Sequence, residues 1–447
     1  MTSTHFKVIV VGGGPVGLTA AHALWRAGID FVLLESRPSI VIDAGSNLVL
    51  LPMGLRLLGQ LGLLEALNTV SSPLGRIQRT DHTGCDIGDA NFFVHYKENH
   101  GIAPRVISRL DLTQVLYTTL PSEVQSCLLP DKRVATITTA PNFTTVHCTD
   151  GTTHTGSIII GADGAHSLVR RQMRALALQA GSPPDHVNPE QPFLTTYQAM
   201  WVRFPTPANL TPGDARETHG VGAAVQLFAG EETSVIGVYE RLASPTTARL
   251  RFGAAEEEAF IARRGNLPIS AGLTIGDAYA ARVQAGMVSL EEGVAARWSW
   301  DSRVVLVGDA AHKFTPSTGA GCNNGMVDVV VLVNQLRRCT EAGLGAPSKA
   351  LVAEALAAYQ DGRYAEVVKG CQGAGQATAT ATWKNAVFKF VDLHILANHR
   401  VQKMFMGRAA PAIARTPVLE FIEGVPMAGG KVAWAENGVQ TRAVKAG

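Results

Sequence analysis

Short apolar runs alternate along the chain with segments whose apolar residues recur at helical spacing, and this alternation predicts a mixed α/β protein. Residues 7–11 are apolar and mostly β-branched after Lys7, which is typical of a buried parallel strand. Residues 15–27 have helical spacing and end before Gly28, and residues 31–35, apolar up to Glu35, form a second predicted strand. Together these segments predict a β-α-β unit at the start of the chain.

The same two patterns continue and predict a sheet-rich insertion within an α/β framework. Residues 181–192 are rich in Gly, Pro and polar residues, which predicts a linker, and strands spaced like an antiparallel sheet follow it. The last third of the chain is mostly helical in pattern. Predicted helices lie at residues 52–61, 110–120, 254–264, 274–285 and 323–338. Predicted strands lie at residues 134–139, 144–149, 157–160, 193–204, 221–229, 233–241 and 303–307.

This layout predicts one nucleotide-binding domain made of two separated pieces. Residues 1–180 form its first piece, with a small strand insertion, and residues 291–345 form its second piece. Between them, residues 181–290 form a substrate-binding sheet domain, and residues 346–447 form a helical C-terminal region. A chain of 447 residues is long enough for this arrangement.

Composition narrows the classes of function. The formal net charge of +2 is too small to suggest a nucleic-acid partner. The six cysteines are scattered without a Cys-x-x-Cys pair, which predicts free thiols in a reducing compartment and no metal site. The N-terminal apolar run leads into glycines rather than a cleavage site, and no run of about 18 apolar residues occurs. We therefore expect a cytoplasmic protein without an integral membrane segment.

The turn after the first predicted strand has the glycine spacing of a dinucleotide-binding loop. Gly12 permits a tight turn, Gly14 lets the backbone approach phosphates, and Gly17 lets the helix pack closely on the strand. Pro15 and Val16 begin the helix, whose free N–H groups and positive dipole end attract a pyrophosphate. An ordinary glycine-rich turn is the alternative, and the β-α-β context favours the dinucleotide.

Charged residues elsewhere extend this candidate site. Glu35 lies about twenty residues beyond the glycines, where a carboxylate accepts hydrogen bonds from the adenosine ribose. Arg37 follows it and is a further candidate for cofactor binding. Arg109, at a predicted helix start after Ser108, offers a guanidinium fork to phosphate or ribose. A solvated surface arginine is the alternative for Arg109.

A second motif follows the apolar strand at residues 157–160. Asp163 and Gly164 come directly after it, with Ser167 and Arg170 close behind. This polar cluster at the end of a strand is a candidate cofactor contact. Capping of the next helix by Asp163 or Ser167 is the structural alternative.

A third motif follows the predicted strand at residues 303–307. An acid at the strand end can accept a hydrogen bond from a ribityl hydroxyl, and small residues beyond it let a flat ring lie against backbone. The helix that begins near residue 323 directs its positive end at the edge of the ring where negative charge gathers on reduction. The candidate residues are Asp309, Pro316, Gly319, Ala320, Gly321, Cys322 and Asn323. Three motifs in this order predict that the chain binds FAD.

His312 lies within the third motif and invites a role as catalytic base. It adjoins a predicted buried strand and has no evident partner in the sequence. We therefore favour a packing or hydrogen-bonding role for this histidine.

With these motifs the chain resembles the class A FAD-dependent aromatic hydroxylases, and the resemblance covers nearly its whole length. It implies a Rossmann-like FAD-binding domain of the para-hydroxybenzoate hydroxylase type, with an inserted antiparallel-sheet substrate domain and a helical C-terminal region. The segments at residues 51–63, 382–390 and 417–434 are similar to a fungal branch. That branch epoxidises or hydroxylates terpenoids, meroterpenoids, indole diterpenes and polyenes.

The resemblance implies a monooxygenase mechanism. NADPH or NADH reduces FAD, O2 adds to the reduced flavin to give a C(4a)-hydroperoxide, and the distal oxygen passes to an electron-rich carbon. The protein then has to bind the flavin, exclude water and hold a small hydrophobic substrate. The sequence has no second glycine-rich nucleotide motif, which fits a nicotinamide cofactor that docks transiently.

The inserted sheet is expected to form the substrate wall. Side chains alternate between the faces of its first strand, so residues 197, 199, 201 and 203 share one face and residues 198, 200, 202 and 204 share the other. The sequence leaves open which face meets the flavin. Candidates for contacting the substrate are Arg203 and Tyr239, with Tyr197 and Arg241 beside them. A core aromatic or a rim arginine is the alternative for each.

Three other functions share the same fold. A reductase or oxidase would use the same FAD-binding cradle, formed by the three motifs. A non-catalytic binding protein would not need Asp163 and Asp309, and both residues are present here. A flavin halogenase has a Trp-x-Trp-x-Ile-Pro signature, whereas Trp298-Ser299-Trp300 is not followed by Ile-Pro here.

Overall fold

The computed structural model describes residues 5–43, 45–341, 346–424, 427 and 429–435. Residues 425, 426 and 428 of the fungal-type segment at 417–434 therefore lie outside the described residues. Within the described residues, no helix combines enough length with enough apolar character to cross a lipid bilayer.

Strands β1 to β21 are numbered in chain order. They span Lys7–Val11, Asp30–Leu34, Asn47–Leu50, Ser71–Pro73, Ile77–Asp81, Arg105–Ser108, Leu128–Leu129, Val134–Thr139, Thr144–Cys148, Thr153–Gly156, Ile158–Gly161, Leu194–Pro205, Ala215–Gly220, Ala223–Ala229, Thr233–Thr246, Pro268–Ser270, Leu273–Thr274, Gln284–Val294, Ser299–Trp300, Val304–Leu306 and His312–Lys313.

Helices α1 to α13 are numbered in the same way. They span Pro15–Arg26, Pro52–Gln60, Leu64–Thr69, Phe92–His100, Arg109–Thr118, Ser122–Gln125, Leu168–Gln179, Ala254–Arg264, Ile275–Ala280, Ala320–Glu341, Lys349–Ala381, Ala386–Phe390 and His399–Ala414. Short 3-10 turns occur at Pro184–His186, Gly308–Ala310 and Pro316–Thr318, and a π-helix at Val391–Leu396 joins α12 to α13.

The predicted β-α-β unit is confirmed and lies at the centre of a six-stranded sheet. The strand order is β19-β20-β11-β1-β2-β7, and β1 pairs in parallel with both β2 and β11. Residues 8–10 in β1 and residues 158–160 in β11 are fully buried, because helices cover both faces of a parallel sheet. The carboxyl ends of β1, β11 and β20 therefore meet at one edge, and each of the three motifs follows one of these strands.

The predicted antiparallel sheet is also confirmed, but it is larger than its sequence pattern indicates. Its seven strands have the order β21-β18-β12-β15-β14-β13-β5. The edge strand β5 comes from residues 77–81, far upstream in the chain, and pairs in parallel with β13. The division into domains at residues 180, 290 and 345 stays a prediction. The seven-stranded sheet takes strands from both sides of the 181–290 segment, namely β5 and β21.

The predicted helix at residues 274–285 is wrong in its second half. Helix α9 ends at Ala280, and residues 284–294 form β18 instead. In β18, residues 284–292 pair with β12 over nearly its whole length, and this long-range hydrogen bonding outweighs the local helical spacing. The predicted helix at residues 323–338 is α10, which begins three residues earlier because Gly319 turns the chain with a φ of +64°.

The mostly helical last third is confirmed. Helix α10 packs against α1 and against α11, a helix of 33 residues that runs beneath the seven-stranded sheet. Helix α13 packs on α4 and α2 and buries four residues spaced four apart, and α4 was not predicted from the sequence. These buried residues are Gln402, Met406, Ala410 and Ala414.

The closest backbone contact in the β1–α1 turn is the one between Gly17 and Gly12. A Cβ atom on Gly17 would lie 1.9 Å from the carbonyl oxygen of Gly12, and backbone cannot move aside cheaply. We expect Gly17→Ala to lower the free energy of unfolding by about 1–3 kcal/mol and to weaken FAD binding. Thermal unfolding and titration with FAD measure both effects.

Gly373→Ala is the matched control. It lies in α11, and no atom lies within 4 Å of the place that an alanine Cβ would take, so alanine should stabilise the helix by about 0.5–1 kcal/mol. Equal stability of the two variants would contradict the close packing assigned to Gly17.

Candidate functional site

The three sequence motifs converge at the carboxyl edge of the six-stranded sheet. Gly12 has a φ of +110°, and a Cβ atom there would lie 2.5 Å from the carbonyl oxygen of Ala162 beside the second motif. Gly308 of the third motif lies against Val16 of the first. Arg170 of the second motif donates a hydrogen bond of 2.8 Å to the carbonyl oxygen of Ala310 in the third. The predicted convergence is therefore present in the fold.

Glu35 lies just beyond β2 and is almost fully buried. Its carboxylate accepts hydrogen bonds from the N–H of Gly13 at 2.7 Å and from the N–H and Nε of Arg37 at 2.8 and 2.9 Å. Burial alone would raise the pKa of Glu35, but these hydrogen bonds hold it below its ordinary value. Glu35 is thus an anion fixed beside the glycine turn, and Arg37 is its partner.

Arg109 begins α5 and faces the glycine turn. Its Nη2 lies 3.4 Å from the position of a Cβ on Gly14, and its Cδ lies 3.3 Å from that on Gly45. Burial and the neighbouring charge of Arg37 lower the pKa of Arg109, whereas Asp309 and Glu35 act in the opposite direction. Across the described ranges, no hydrogen bond or ion pair engages its guanidinium. A half-buried cation therefore faces the turn with its donors unused.

Asp163 caps the next helix. Its carboxylate accepts hydrogen bonds from Ser167 Oγ at 2.5 Å and from the N–H groups of Leu168 and Val169 at 2.7 and 3.1 Å. Ser167 in turn caps α7 by accepting from the N–H of Arg170. The capping alternative is thus present in the structure, and Gly164, with a φ of +80°, makes the turn between strand and helix. Cofactor contact by Asp163 and Gly164 stays a prediction.

Asp309 lies in the 3-10 turn after β20, with about a third of its side chain exposed. Its carboxylate forms an ion pair of 2.5 Å with Lys313. Burial would raise the pKa of Asp309, but the charge of Lys313 holds it below its ordinary value. The Oδ1 atom lies 4.0 Å from the position of a Cβ on Gly321, so the acid and the start of α10 share one space.

The start of α10 carries unpaired backbone donors. The N–H groups of the first three helical residues lack an intrahelical partner, and here they belong to residues 320–322. Asn323 is fully buried, and its side chain forms hydrogen bonds with backbone groups. Leu51 N–H donates to its Oδ1, and its Nδ2 donates to the carbonyl oxygens of Val49 and Gly319. Its side chain fixes the turn, and the N–H groups of the helix remain for a ligand. Ligand contact by Pro316, Gly319, Ala320, Gly321 and Cys322 stays a prediction.

The packing and hydrogen-bonding role favoured for His312 is confirmed. Its ring is fully buried against Trp298, and its Nε2 donates to Asp328 Oδ2 at 2.5 Å. Asp328 also accepts from the N–H of Gly308 at 3.0 Å and from Arg363 Nε at 2.9 Å. The sequence did not reveal Asp328, which anchors the turn that carries the third motif.

The structure shows which face of the seven-stranded sheet lies toward the three motifs. Met200, Val202 and Phe204 pack beneath α8 and α9 on the outer side. Tyr197 and Tyr239 lie on the inner side, toward α11. Gln226 of the same inner side donates to the carbonyl oxygen of Ser317 at 3.1 Å, in the turn between Pro316 and Thr318. The face that carries Tyr197 therefore borders the third motif.

The substrate-side candidates all have protein partners. Arg203 donates to both carboxylate oxygens of Asp43 at 2.7 Å, which ties the sheet to the segment after β2. Tyr239 donates to Gln226 Oε1 at 2.5 Å, Tyr197 lies 3.3 Å from Thr382 Oγ1, and Arg241 donates to the carbonyl oxygen of Lys384. Catalytic roles for Arg203 and Tyr239 stay predictions.

A groove between β12, β18 and α11 opens beside Tyr197. It encloses about 410 Å³, and most of its wall is apolar or backbone. Lys384 and Phe388, which follow α11 in the chain, are part of its lining. The remaining lining residues are Leu194, Thr196, Glu292, Gly293, Cys371, Gln372, Gly375, Gln376 and Ala379.

A buried charge cluster joins the inner sheet face to the C-terminal region. His219 lies between Glu217 and Asp392, at 3.0 and 2.8 Å, and Asp392 also accepts from Arg79 at 2.6 Å. Glu217 Oε1 accepts from Gln226, so the cluster connects to the residue that contacts the third motif. No local pattern could have revealed it, because Arg79 and Asp392 are 313 residues apart.

This cluster makes stability depend on pH. Burial alone would lower the pKa of His219, but its two carboxylate partners raise it to about 9. Its contribution is therefore complete below about pH 6.5 and is lost as the pH rises through about 9. The pKa values of Glu217 and Asp392 are lowered, so their contribution is present at neutral pH and is lost as the pH falls through those values.

We expect the free energy of unfolding to fall by on the order of 3 kcal/mol between pH 6.5 and pH 9, because over much of this window only the folded protein keeps the proton on His219. Urea unfolding at several pH values measures it. His219→Gln keeps hydrogen-bonding atoms without titrating and should flatten this part of the profile. A variant profile as steep as that of the parent protein would contradict the assignment.

Comparison with known proteins supports FAD as the ligand of this cradle. A family model described as "FAD binding domain" matches residues 5–185 and 275–348. The chain is 32% identical to the FAD-dependent monooxygenase verC1 of Penicillium polonicum over 80% of its own length, but only 45% of that protein is spanned. It is 31% identical to the FAD-dependent monooxygenase srdH of Neurospora crassa over 97% of this chain and 99% of that one.

Solved structures share the fold. The Klebsiella pneumoniae protein HpxO, solved with FAD and uric acid, superposes with a TM-score of 0.70 at 21% identity, covering 91% of this chain and 96% of its own. The family model covers more than half of the sequence, and the Neurospora relative matches it from end to end. The chain therefore belongs to the FAD-dependent monooxygenases that share this FAD binding domain.

Proposed function

We propose that the protein inserts one oxygen atom from O2 into a hydrophobic natural-product intermediate, by epoxidation or hydroxylation, with FAD as cofactor and NADPH or NADH as reductant. The observation that supports this most directly is the contact of Gln226 with the carbonyl oxygen of Ser317. It brings the inner face of the sheet against the turn that follows Asp309, so substrate and flavin would share one enclosed space.

The residues of the cradle fit FAD. Gly12 and Gly17 leave no room for a side chain, the N–H groups at the start of α1 have no side-chain cap, and Arg109 faces the same turn. These groups suit a pyrophosphate, because a helix N-terminus and a guanidinium both favour oxyanions. Glu35 suits the adenosine ribose at the other end of the turn.

On the ring side, Asp309 suits a ribityl hydroxyl, and the N–H groups of residues 320–322 suit the oxygen-bearing edge of the ring. When bound and reduced, FAD supplies the electrons that activate O2. The overall balance converts NAD(P)H, a proton, O2 and substrate into NAD(P)+, water and the oxygenated product.

The protein's own residues would hold the substrate and exclude water. Arg203 is bonded to Asp43, and Tyr239 is bonded to Gln226. We therefore propose that these two residues position the sheet relative to the flavin turn, the 3-10 turn at Pro316–Thr318 that contacts Gln226. Burial raises the pKa of Tyr239, which keeps its phenol protonated as a donor to Gln226. The apolar groove beside Tyr197 is a suitable path for a hydrophobic substrate, given its volume of about 410 Å³.

Oxygen-18 labelling tests the reaction class. The purified yellow protein is incubated with NADPH, labelled O2 and candidate polyprenyl, indole or polyketide compounds, and NADPH consumption is followed with and without each compound. We expect one compound class to accelerate NADPH oxidation and to gain a single labelled oxygen atom. A product that changes only by loss or gain of hydrogen would overturn the monooxygenase proposal in favour of an oxidase or reductase.

Asp309→Ala tests the cradle itself. Loss of a hydrogen bond to a charged acceptor costs about 1.5–3 kcal/mol, so we expect FAD affinity to fall by about 10- to 100-fold or flavin reduction to slow by a similar factor. Lys313→Met removes the ion-pair partner and keeps the acid, so it should retain most FAD binding. Full FAD occupancy with normal turnover in Asp309→Ala would contradict the assigned role.

A further inference from the structure

The C-terminal segment at residues 384–415 exposes apolar and basic side chains together. Five large apolar residues in it are exposed: Val387 by 68%, Phe390 by 57%, Phe405 by 46%, Met404 by 44% and Ile395 by 37%. Among the described residues these five make up a large share of such exposed side chains, although the segment is short. Folding leaves this apolar area in contact with water.

The same segment is strongly basic. It contains six lysines and arginines and a single acid, Asp392, which is fully buried in the charge cluster with His219 and Arg79. All six cations are exposed, and none forms an ion pair with an acid anywhere in the described part of the chain. They are Lys384, Lys389, Arg400, Lys403, Arg408 and Arg415. This local excess contrasts with the net charge of +2 for the whole chain.

The inner side of the segment is firmly attached to the protein. Asp392 accepts hydrogen bonds from Arg79 and from Trp383 Nε1 at 2.6 and 2.8 Å. Gln402 donates to the carbonyl oxygen of Asp89 at 2.9 Å, and Met406 is buried beside α4. The exposed residues therefore belong to an ordered part of the fold whose opposite side already has its partners.

We propose that residues 384–415 dock on the surface of an anionic lipid bilayer. Exposed Phe, Met and Val side chains would enter the boundary between headgroups and acyl chains, and the flanking cations would contact lipid phosphates and carboxylates. The segment would lie on the bilayer without crossing it.

Two other occupants are less well matched by the chemistry. A second copy of the same segment would bring six exposed cations against six, which like-charge repulsion opposes. The core of a protein interface is depleted in lysine, whereas Lys389 and Lys403 adjoin the exposed Phe390 and Met404. Membrane-surface helices combine Lys and Arg with Phe in this way.

The placement has a consequence for access to the groove beside Tyr197. Lys384 and Phe388 of the segment are among the residues that line that groove, and Lys384 is exposed. Docking would bring this part of the groove close to the acyl chains, where hydrophobic compounds concentrate. The docking itself does not depend on the proposed reaction, and it can be measured without turnover.

Sedimentation with sucrose-loaded vesicles tests the proposal on the FAD-loaded 447-residue protein. We expect strong binding to phosphatidylcholine mixed with phosphatidylserine, weak binding to phosphatidylcholine alone, and loss of binding as salt is raised. Phe390→Ser with Phe405→Ser should weaken binding by about tenfold or more, and Lys403→Glu with Arg408→Glu should do the same. All four side chains are exposed, so thermal unfolding and flavin absorbance should stay unchanged.

Matched controls lie elsewhere on the surface. Phe143 is 43% exposed in the β8–β9 hairpin, and Arg249 and Arg251 are exposed cations outside the segment. Phe143→Ser and the double change Arg249→Glu with Arg251→Glu should leave vesicle binding as it was. Equal binding to both vesicle types, or equal loss in test and control variants, would overturn the proposal. Binding to neither vesicle would also overturn it.

Discussion

The close approach of backbone between the β1–α1 turn and the end of β11 is the constraint on which the remaining structure depends. Parallel pairing of β1 with β11 brings Gly12 against the carbonyl oxygen of Ala162, and Gly17 against that of Gly12. Only glycine permits both contacts. Because β20 pairs next to β11, the turn with Asp309 arrives at the same edge. Motifs that are far apart in the sequence thus meet around one space.

A second layer of buried polar residues holds this edge in place. Asp328 connects the Gly308 N–H, His312 and Arg363, and Asn323 connects the start of α10 to β3. The polar side-chain atoms of Asp328 and Asn323 all have protein partners, as buried polar groups require. Because these side chains already bond to protein groups, they hold the turn after β20 and the start of α10 in place.

The seven-stranded sheet and the C-terminal helices complete the enclosure. Arg203 with Asp43, and Gln226 with Ser317, join the sheet to the nucleotide-binding part. The cluster of Glu217, His219, Asp392 and Arg79 joins it to the helices beyond α11. One chain of hydrogen bonds therefore connects the flavin turn to the base of the segment at residues 384–415. The outer side of that segment is left apolar and basic.

The sequence alone determined the β-α-β unit, the three motifs, the antiparallel insertion and the resemblance to flavin hydroxylases, because these depend on side-chain periodicity and on glycines within a few residues of each other. Tertiary structure decided the rest. Strand pairing of residues 284–294 cut short the helix predicted at residues 274–285, brought β5 into a distant sheet and turned the face of Tyr197 toward the third motif. The partners of His312 and His219 were decided in the same way, since a buried charge is matched by whichever groups the fold brings near, at any separation along the chain.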